Sequence, residues 1–330
     1  MITDLAVLLK DAPAPDREAA RAVQERAANV LRPAGALQRL DEVAVWLSGW
    51  QRTAHPRIDR PEVLIFAADH GVTLDGVSAY PAEITAAMCH AVTQGQATVT
   101  AFAKELGAKV SLIDVGVGNP TGNLRVEPAL DDDRFAEAFN AGRAAVAGGD
   151  ADLIILGEMG IGNTTPAAAI AATIAGGNAD SWVGPGTGVS GEQLDHKRAV
   201  VADAVARISD VSDPMEVLRQ VGGAELVAMA GAAVEARLRS IPVILDGYVV
   251  TAALLPIHEV DSAWLDNVLA GHCSPEPGHR RLLERMGKDP LIDLGMRLGE
   301  GSGALAALPL VRLSVAGVVD VATFAEAGLG

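Results

Sequence analysis

Aromatic side chains are scarce in this 330-residue chain: four Trp, two Tyr and five Phe, 3% in all. With 49% of residues apolar, the core must be packed from Ala, Val, Leu and Ile, and 35 glycines allow many tight turns. That balance suits a close-packed α/β protein. Cysteine is scarcer still. Cys89 and Cys273 lie far apart without a C-x-x-C, which excludes a disulfide framework and a zinc knuckle and predicts two buried or half-buried thiols. Positive charge is in deficit, 26 Lys and Arg against 42 Asp and Glu, for a net charge of −16. A nucleic-acid binder needs a basic face and so does docking on anionic lipid, so neither partner is expected. Any anionic substrate must be held by local donors working against the field of the whole chain. Long hydrophobic runs are missing too: none reaches the roughly 18–20 apolar residues of a membrane helix. The opening MITDLAVLLKDAPAPDREAAR is too acidic, and its apolar run too short, for a signal peptide. A cytoplasmic protein without membrane contact is the expectation.

The first 55 residues read as helices, DREAARAVQERAANVL and GALQRLDEVAVWLSGWQ carrying apolar residues at three- and four-residue spacing. The texture then changes. EVLIFAADHG, KVSLIDVGVG, ADLIILGEMGIG and IPVILDGYVV are short apolar runs that each fit a buried strand, with helical stretches such as EITAAMCHAVTQGQATVTAFAKEL between them. This alternation predicts a parallel sheet with helices on both faces. Asp69, Asp114, Glu158 and Asp246 each stand at or just beyond the end of one run. Ligands of such sheets bind outside the carboxyl ends of the strands, so four carboxylates lining one rim are predicted. ALDDDRFAEAFNAGRAA reads as a loop leading into a surface helix.

GEMGIGNTTPAAAI has the form of a phosphate-cradling turn at a helix start. Gly160 and Gly162 let backbone N–H groups converge, Asn163, Thr164 and Thr165 offer an N-cap and side-chain donors, and Pro166 suits the first helical turn. It lacks the lysine that a nucleoside-triphosphate loop carries after its last glycine, which disfavours a triphosphate with magnesium and suits a single phosphate ester. GPGTG, with Gly186 and Gly188, is a second such turn and leads to a helix holding Lys197 and Arg198; LGEGSG is a third and opens a long apolar helix from about Ala304. Glu300, set among glycines and apolar neighbours, is placed to have the raised proton affinity of a general base. His272, Glu276 and His279 lie on a proline-broken loop without ligand spacing, so no metal is expected. No G-x-S-x-G elbow marks a serine hydrolase.

Taken in order, ADHGVTLDGVSAYPAEIT, GEMGIGNTTPAAA, GPGTG, IPVILDGYVVTAALL, SPEPGH and DLGMRLGEGSGALAALPL resemble the nicotinate-nucleotide:dimethylbenzimidazole phosphoribosyltransferase family of cobalamin nucleotide-loop assembly, from about residue 32 to the end. The resemblance implies transfer of 5-phosphoribosyl from nicotinate mononucleotide to 5,6-dimethylbenzimidazole, without a cofactor, by a homodimer. It implies a large Rossmann-like α/β domain over 56–330 and a small helical domain, to which residues 1–55 contribute and on which the C-terminal helix packs. By motif position Glu300 is the general base and Glu158 a second carboxylate of the site. Gly160, Gly162, Asn163, Thr164, Gly186, Gly188, Lys197, Asp246, Ser274 and Gly301 hold phosphate and ribose, and Ser78, Tyr80, Met88 and Leu298 form the acceptor-base pocket. Among the departures from the family pattern, Ala87 stands where many members carry Gln, and the 117–150 segment is short. They leave open another acceptor (adenine, a different benzimidazole or a phenol), and a non-catalytic nucleotide-binding homologue is a further alternative.

Overall fold

Strand runs alternating with helices become a parallel sheet in the computed structural model, which describes residues 5–329. The first four residues of the helical segment 1–55, and Gly330, lie outside them. The strands are β1 (Pro61–Ala68), β2 (Lys109–Gly116), β3 (Leu153–Met159), β4 (Val243–Leu245) and β5 (Val268–Ala270), in the order β2-β1-β3-β4-β5 with every neighbouring pair parallel. Helices α1 (Leu5–Lys10), α2 (Arg17–Asn29) and α3 (Gln38–Gln51) precede the sheet, and α4 (Ile84–Thr93), α5 (Thr98–Leu106) and α6 (Asp132–Ala147) flank β2. Between β3 and β4 run α7 (Thr164–Ala175), α8 (Gly191–Arg207), α9 (Pro214–Val221) and α10 (Ala224–Leu238). α11 (Tyr248–Val260) joins β4 to β5, and α12 (Pro277–Arg285) and α13 (Ser302–Val319) complete the chain.

Side chains alternate across a strand, so each apolar run feeds two cores. Leu64, Phe66, Ile154, Leu156, Val243 and Leu245 join the core built with α6, α7, α10 and α11. Val63, Ile65, Leu153, Ile155, Ile244 and Leu269 face the other way, into a core shared with α3, α5 and α13. Val23, Ala27, Ala44 and Val318 make a smaller cluster where α2, α3 and α13 meet. There Arg26 Nε donates to the Val318 carbonyl at 2.9 Å, tying the N-terminal helices to the C-terminal one.

Four local expectations are corrected. β2 is half-exposed rather than buried, because it is the edge of the sheet. The helical stretch 84–106 is two helices, broken where Gly95 adopts a left-handed φ of 71°. The helix after the acidic loop is no surface helix on its inner side, where Phe135, Phe139 and Val146 are buried. By length and composition α13 could cross a membrane, contrary to the reading of the runs, but 56% of its window is buried within the fold.

Candidate active site

The strand order places β1 and β3 side by side with their chain connections leaving in opposite directions, and a crevice opens beyond their carboxyl ends. A cavity of about 520 Å3 lies there. Its walls come from the segment after β1 (Val77, Ser78, Tyr80), the end of β3 and the loop beyond it (Glu158 to Thr164), and the segments after β4 (Gly247 to Val249) and after β5 (His272, Ser274, Glu276). Helix α4, Gly186, Thr187 and the turn Arg297 to Glu300 complete it. Of the residues singled out from sequence, Ser78, Tyr80, Met88, Glu158, Gly160, Gly162, Asn163, Thr164, Gly186, Ser274, Leu298 and Glu300 line this one space; Gly188, Lys197, Asp246 and Gly301 stand outside its lining.

The four rim carboxylates divide, and the expectation that they share a site is corrected. Asp69 accepts from Gly118 N at 2.8 Å, Asp114 from Gly116 N and Val117 N, and Asp246 from Gly301 N at 3.1 Å and Ala304 N at 2.9 Å. Backbone N–H groups of neighbouring turns claim these three, as an aspartate beside a turn commonly allows. Glu158 alone of the four faces the cavity.

Glu158 and Glu300 are nearly fully buried, at 9% and 2% exposure. They are brought together by backbone contact. A Cβ on Gly157 would lie 2.7 Å from the Glu300 carbonyl, and one on Gly299 would lie 2.4 Å from Glu158 Oε1, so only glycines let the strand end and the turn meet. The turn is strained: Gly299, Glu300 and Gly301 all have positive φ, 83°, 63° and 84°. A non-glycine residue there carries a steric cost of roughly 1–2 kcal/mol, the kind of strain that collects at functional sites. Burial pushes the Glu158 carboxyl up to about 8, against a hydrogen bond from Asn163 and with help from Asp246, Glu225 and Glu300. Burial also raises Glu300, opposed by the Val99 N–H in the first turn of α5 and aided by Asp246. Glu300 Oε2 has no hydrogen-bond partner.

Asn163 does not cap α7 with its side chain as predicted; its Nδ2 donates to Glu158 Oε2 instead. The lysine absent from the loop sequence is present in space. Lys197, on α8, is buried behind the loop, and its Nζ donates to Thr164 Oγ1 at 2.7 Å and to the Gly184 carbonyl at 3.2 Å. Burial lowers it to about 8, against the pull of Glu276. Glu276 accepts from Gly186 N at 3.1 Å, and Arg297 Nη1 donates to the Gly186 carbonyl at 3.1 Å. Ser78 and Thr187 hydroxyls meet at 3.0 Å, and the apolar Val77, Ile84 and Met88 line the same space, with Tyr80 and Leu298 half-exposed.

Among the described residues no group of three or more His, Cys, Asp or Glu could hold a metal ion. His279 is engaged otherwise. Its Nδ1 accepts from Ser274 N at 2.8 Å, which puts the ring proton on Nε2 toward Thr251 Oγ1 at 3.0 Å. Burial lowers its pKa to about 3, so it is a neutral prop that orients Ser274. Both cysteines are free, Cys89 half-buried and Cys273 buried.

A phosphoribosyltransferase family model matches residues 12–329. The nicotinate-nucleotide–dimethylbenzimidazole phosphoribosyltransferase of Brucella anthropi is 46% identical over 329 residues, covering 99% of this chain and 96% of that protein. Its counterpart in Rhizobium meliloti is 48% identical over the same span and shares. The crystal structure of CobT from Thermus thermophilus superposes with a TM-score of 0.90 at 41% identity, covering 95% of this chain and 99% of that one. The chain belongs to the nicotinate-nucleotide–dimethylbenzimidazole phosphoribosyltransferase family. Five lining residues with polar side chains went unassigned from sequence in this family member: Thr187, Tyr248, His272, Glu276 and Arg297. His272 and Glu276 were weighed only as metal ligands; the turn composition around Thr187 and Arg297 was the one signal available for those two, and Tyr248 had none beyond the strand end.

Proposed function

We propose that this chain transfers the 5-phosphoribosyl group of nicotinate mononucleotide to 5,6-dimethylbenzimidazole, giving α-ribazole 5′-phosphate and nicotinate, the reaction of cobalamin nucleotide-loop assembly. One observation carries the reading: two buried carboxylates of raised proton affinity face a cavity that a glycine-rich helix start and apolar side chains line together. The phosphate is assigned to the loop Gly160–Thr164 at the N-terminus of α7, where N–H groups and the helix dipole favour an anion. Lys197 and Arg297 supply local positive charge against the −16 of the whole. Gly186 and Ser274 line the space assigned to phosphate and ribose, and Gly188, Asp246 and Gly301 support it from behind the lining.

Nicotinate leaves from a pyridinium, so no acid is needed at its nitrogen, and no departing pyrophosphate calls for magnesium. The acceptor must shed its N–H proton as its other nitrogen attacks C1′. Glu300 is the base, because Glu158, pushed up to about 8, still holds its proton at neutral pH. Protonated Glu158 leaves the phosphate end free of one negative charge, and Glu300 balances positive charge developing at C1′. The acceptor lies between Met88 and Leu298, with Ser78 and Tyr80 at its edge. Residues 1–55 belong to a small helical domain and 56–330 to the large one, and the enzyme is a cytoplasmic homodimer.

A panel of bases incubated with nicotinate mononucleotide tests the reading. α-Ribazole phosphate is the expected product, and no product with any base overturns the assignment. Tyr80 at 54% and Leu298 at 51% exposure leave the acceptor end open, which favours a second reading in which another flat base serves; competing bases in one pot show which is used first.

A further inference from the structure

Behind the phosphate loop lies a pair whose one part in the chemistry above is the charge of Glu225 acting on Glu158. His70 stands two residues beyond the end of β1 and Glu225 in the first turn of α10. Their side chains are fully buried, with Nε2 and Oε1 2.7 Å apart, and neither is part of the cavity wall. The pair is wedged between two glycines. A Cβ on Gly160 would lie 3.0 Å from His70 Nε2 and 3.2 Å from Glu225 Oε1, and one on Gly223 would lie 2.4 Å from His70 Cε1 and 2.7 Å from Glu225 Oε2. Gly160 lines the cavity, so its wall at that point is a backbone resting on the Ala68 carbonyl, at 2.7 Å from the same Cβ position, and on an imidazole–carboxylate contact. His70 reaches the loop a second way. Its carbonyl accepts from Thr73 Oγ1 at 2.7 Å, and a Cβ on Gly162 would lie 2.9 Å from the Thr73 methyl.

Burying two ionisable groups consumes most of what their attraction returns, and well-packed apolar residues usually stabilise as much. Here the second atoms of both groups, His70 Nδ1 and Glu225 Oε2, have no hydrogen-bond partner. Such a pair contributes direction rather than net stability. We infer that His70 and Glu225 are positioning residues for the donor, holding Gly160, and through Thr73 Gly162, at the spacing in which the loop's N–H groups meet the phosphate. The inference rests on the reading of that loop as the phosphoribosyl site.

The test is calorimetric titration of nicotinate mononucleotide, without acceptor, into wild type, His70→Leu, His70→Gln and Glu225→Gln, with Tm recorded for each and the acceptor KM measured beside it. His70→Leu removes the contact and is expected to weaken donor binding about tenfold, the worth of roughly one charge-assisted hydrogen bond. Its acceptor KM stays within about threefold, since only the donor end is displaced. His70→Gln, whose amide can still donate to Glu225, restores most of the affinity. Glu225→Gln keeps the shape and weakens the bond, so an intermediate loss of about threefold is expected; it reads the same quantity should His70→Leu not fold. Donor affinity unchanged in the folded variants, or donor and acceptor affinities falling together, overturns the inference. Wild type that binds no nicotinate mononucleotide overturns the proposed function instead.

Discussion

Glu158 and Glu300 open onto the same cavity but are delivered by opposite means. Glu158 comes off a regular strand paired on both sides, and its position follows from the sheet. Glu300 sits in a turn of three consecutive positive φ values, held there by glycines on either side. The strand-borne carboxylate is the more strongly raised, to about 8, and Asn163 engages one of its oxygens. The turn-borne one has an oxygen without a partner and a helix N-terminus opposing its protonation. Two identical side chains thereby differ in proton affinity, the kind of separation that suits one carboxyl to hold a proton and the other to take one.

The contrast between them breaks most sharply at Glu300. Glu300→Ala is expected to lower kcat by about 10²–10⁴-fold, the usual worth of a general base, with the donor KM changed far less; steady-state kinetics at varied donor concentration measure both. Lys197→Met comes next. It strips the hydrogen bond that Thr164 receives, and should raise the donor KM about tenfold while kcat moves less.

Protonation of Glu158 sharpens the contrast further. A carboxyl raised from 4.5 to about 8 contributes stability that is fully present below pH 4.5 and is lost as pH rises through about 8. Wild type should therefore lose Tm between about pH 4.5 and 8, and Glu158→Gln should lose less; equal slopes would contradict the buried proton. The smallest effect concerns strain. Glu300→Gly should be more stable than Glu300→Ala by roughly 1 kcal/mol in denaturant unfolding, because glycine accepts a φ of 63° without penalty.

How much of this was readable follows from the length of the signal. The apolar runs of β1, β2, β3 and β4 were legible because several consecutive branched residues leave few alternatives, and the alternation with helices made the parallel sheet legible with them. β5, only Val268–Ala270, was not, since three residues before a Gly-Pro-rich loop have no periodicity to read. The carboxylates of the site were legible through their motifs, Glu300 by its glycine neighbours and Glu158 by the loop it precedes. What sequence could not supply is who claims a carboxylate. Asp69, Asp114 and Asp246 looked like Glu158 along the chain, yet backbone N–H groups occupy them. Lys197 shows the converse, a cation 33 positions from Thr164 in sequence and 2.7 Å away in space. Likewise the contact of His70 with Glu225, 155 positions apart, exists only after folding.

The division of labour between the two carboxylates is tested most directly by kcat for ribosyl transfer in Glu300→Ala and Glu158→Gln, measured side by side at saturating donor and acceptor near neutral pH. The Glu300 variant is predicted to lose at least about tenfold more than the Glu158 variant, since only the former lacks a base. A Glu300→Ala enzyme with near-wild-type kcat, or a Glu158→Gln enzyme that is the slower of the two, would contradict it.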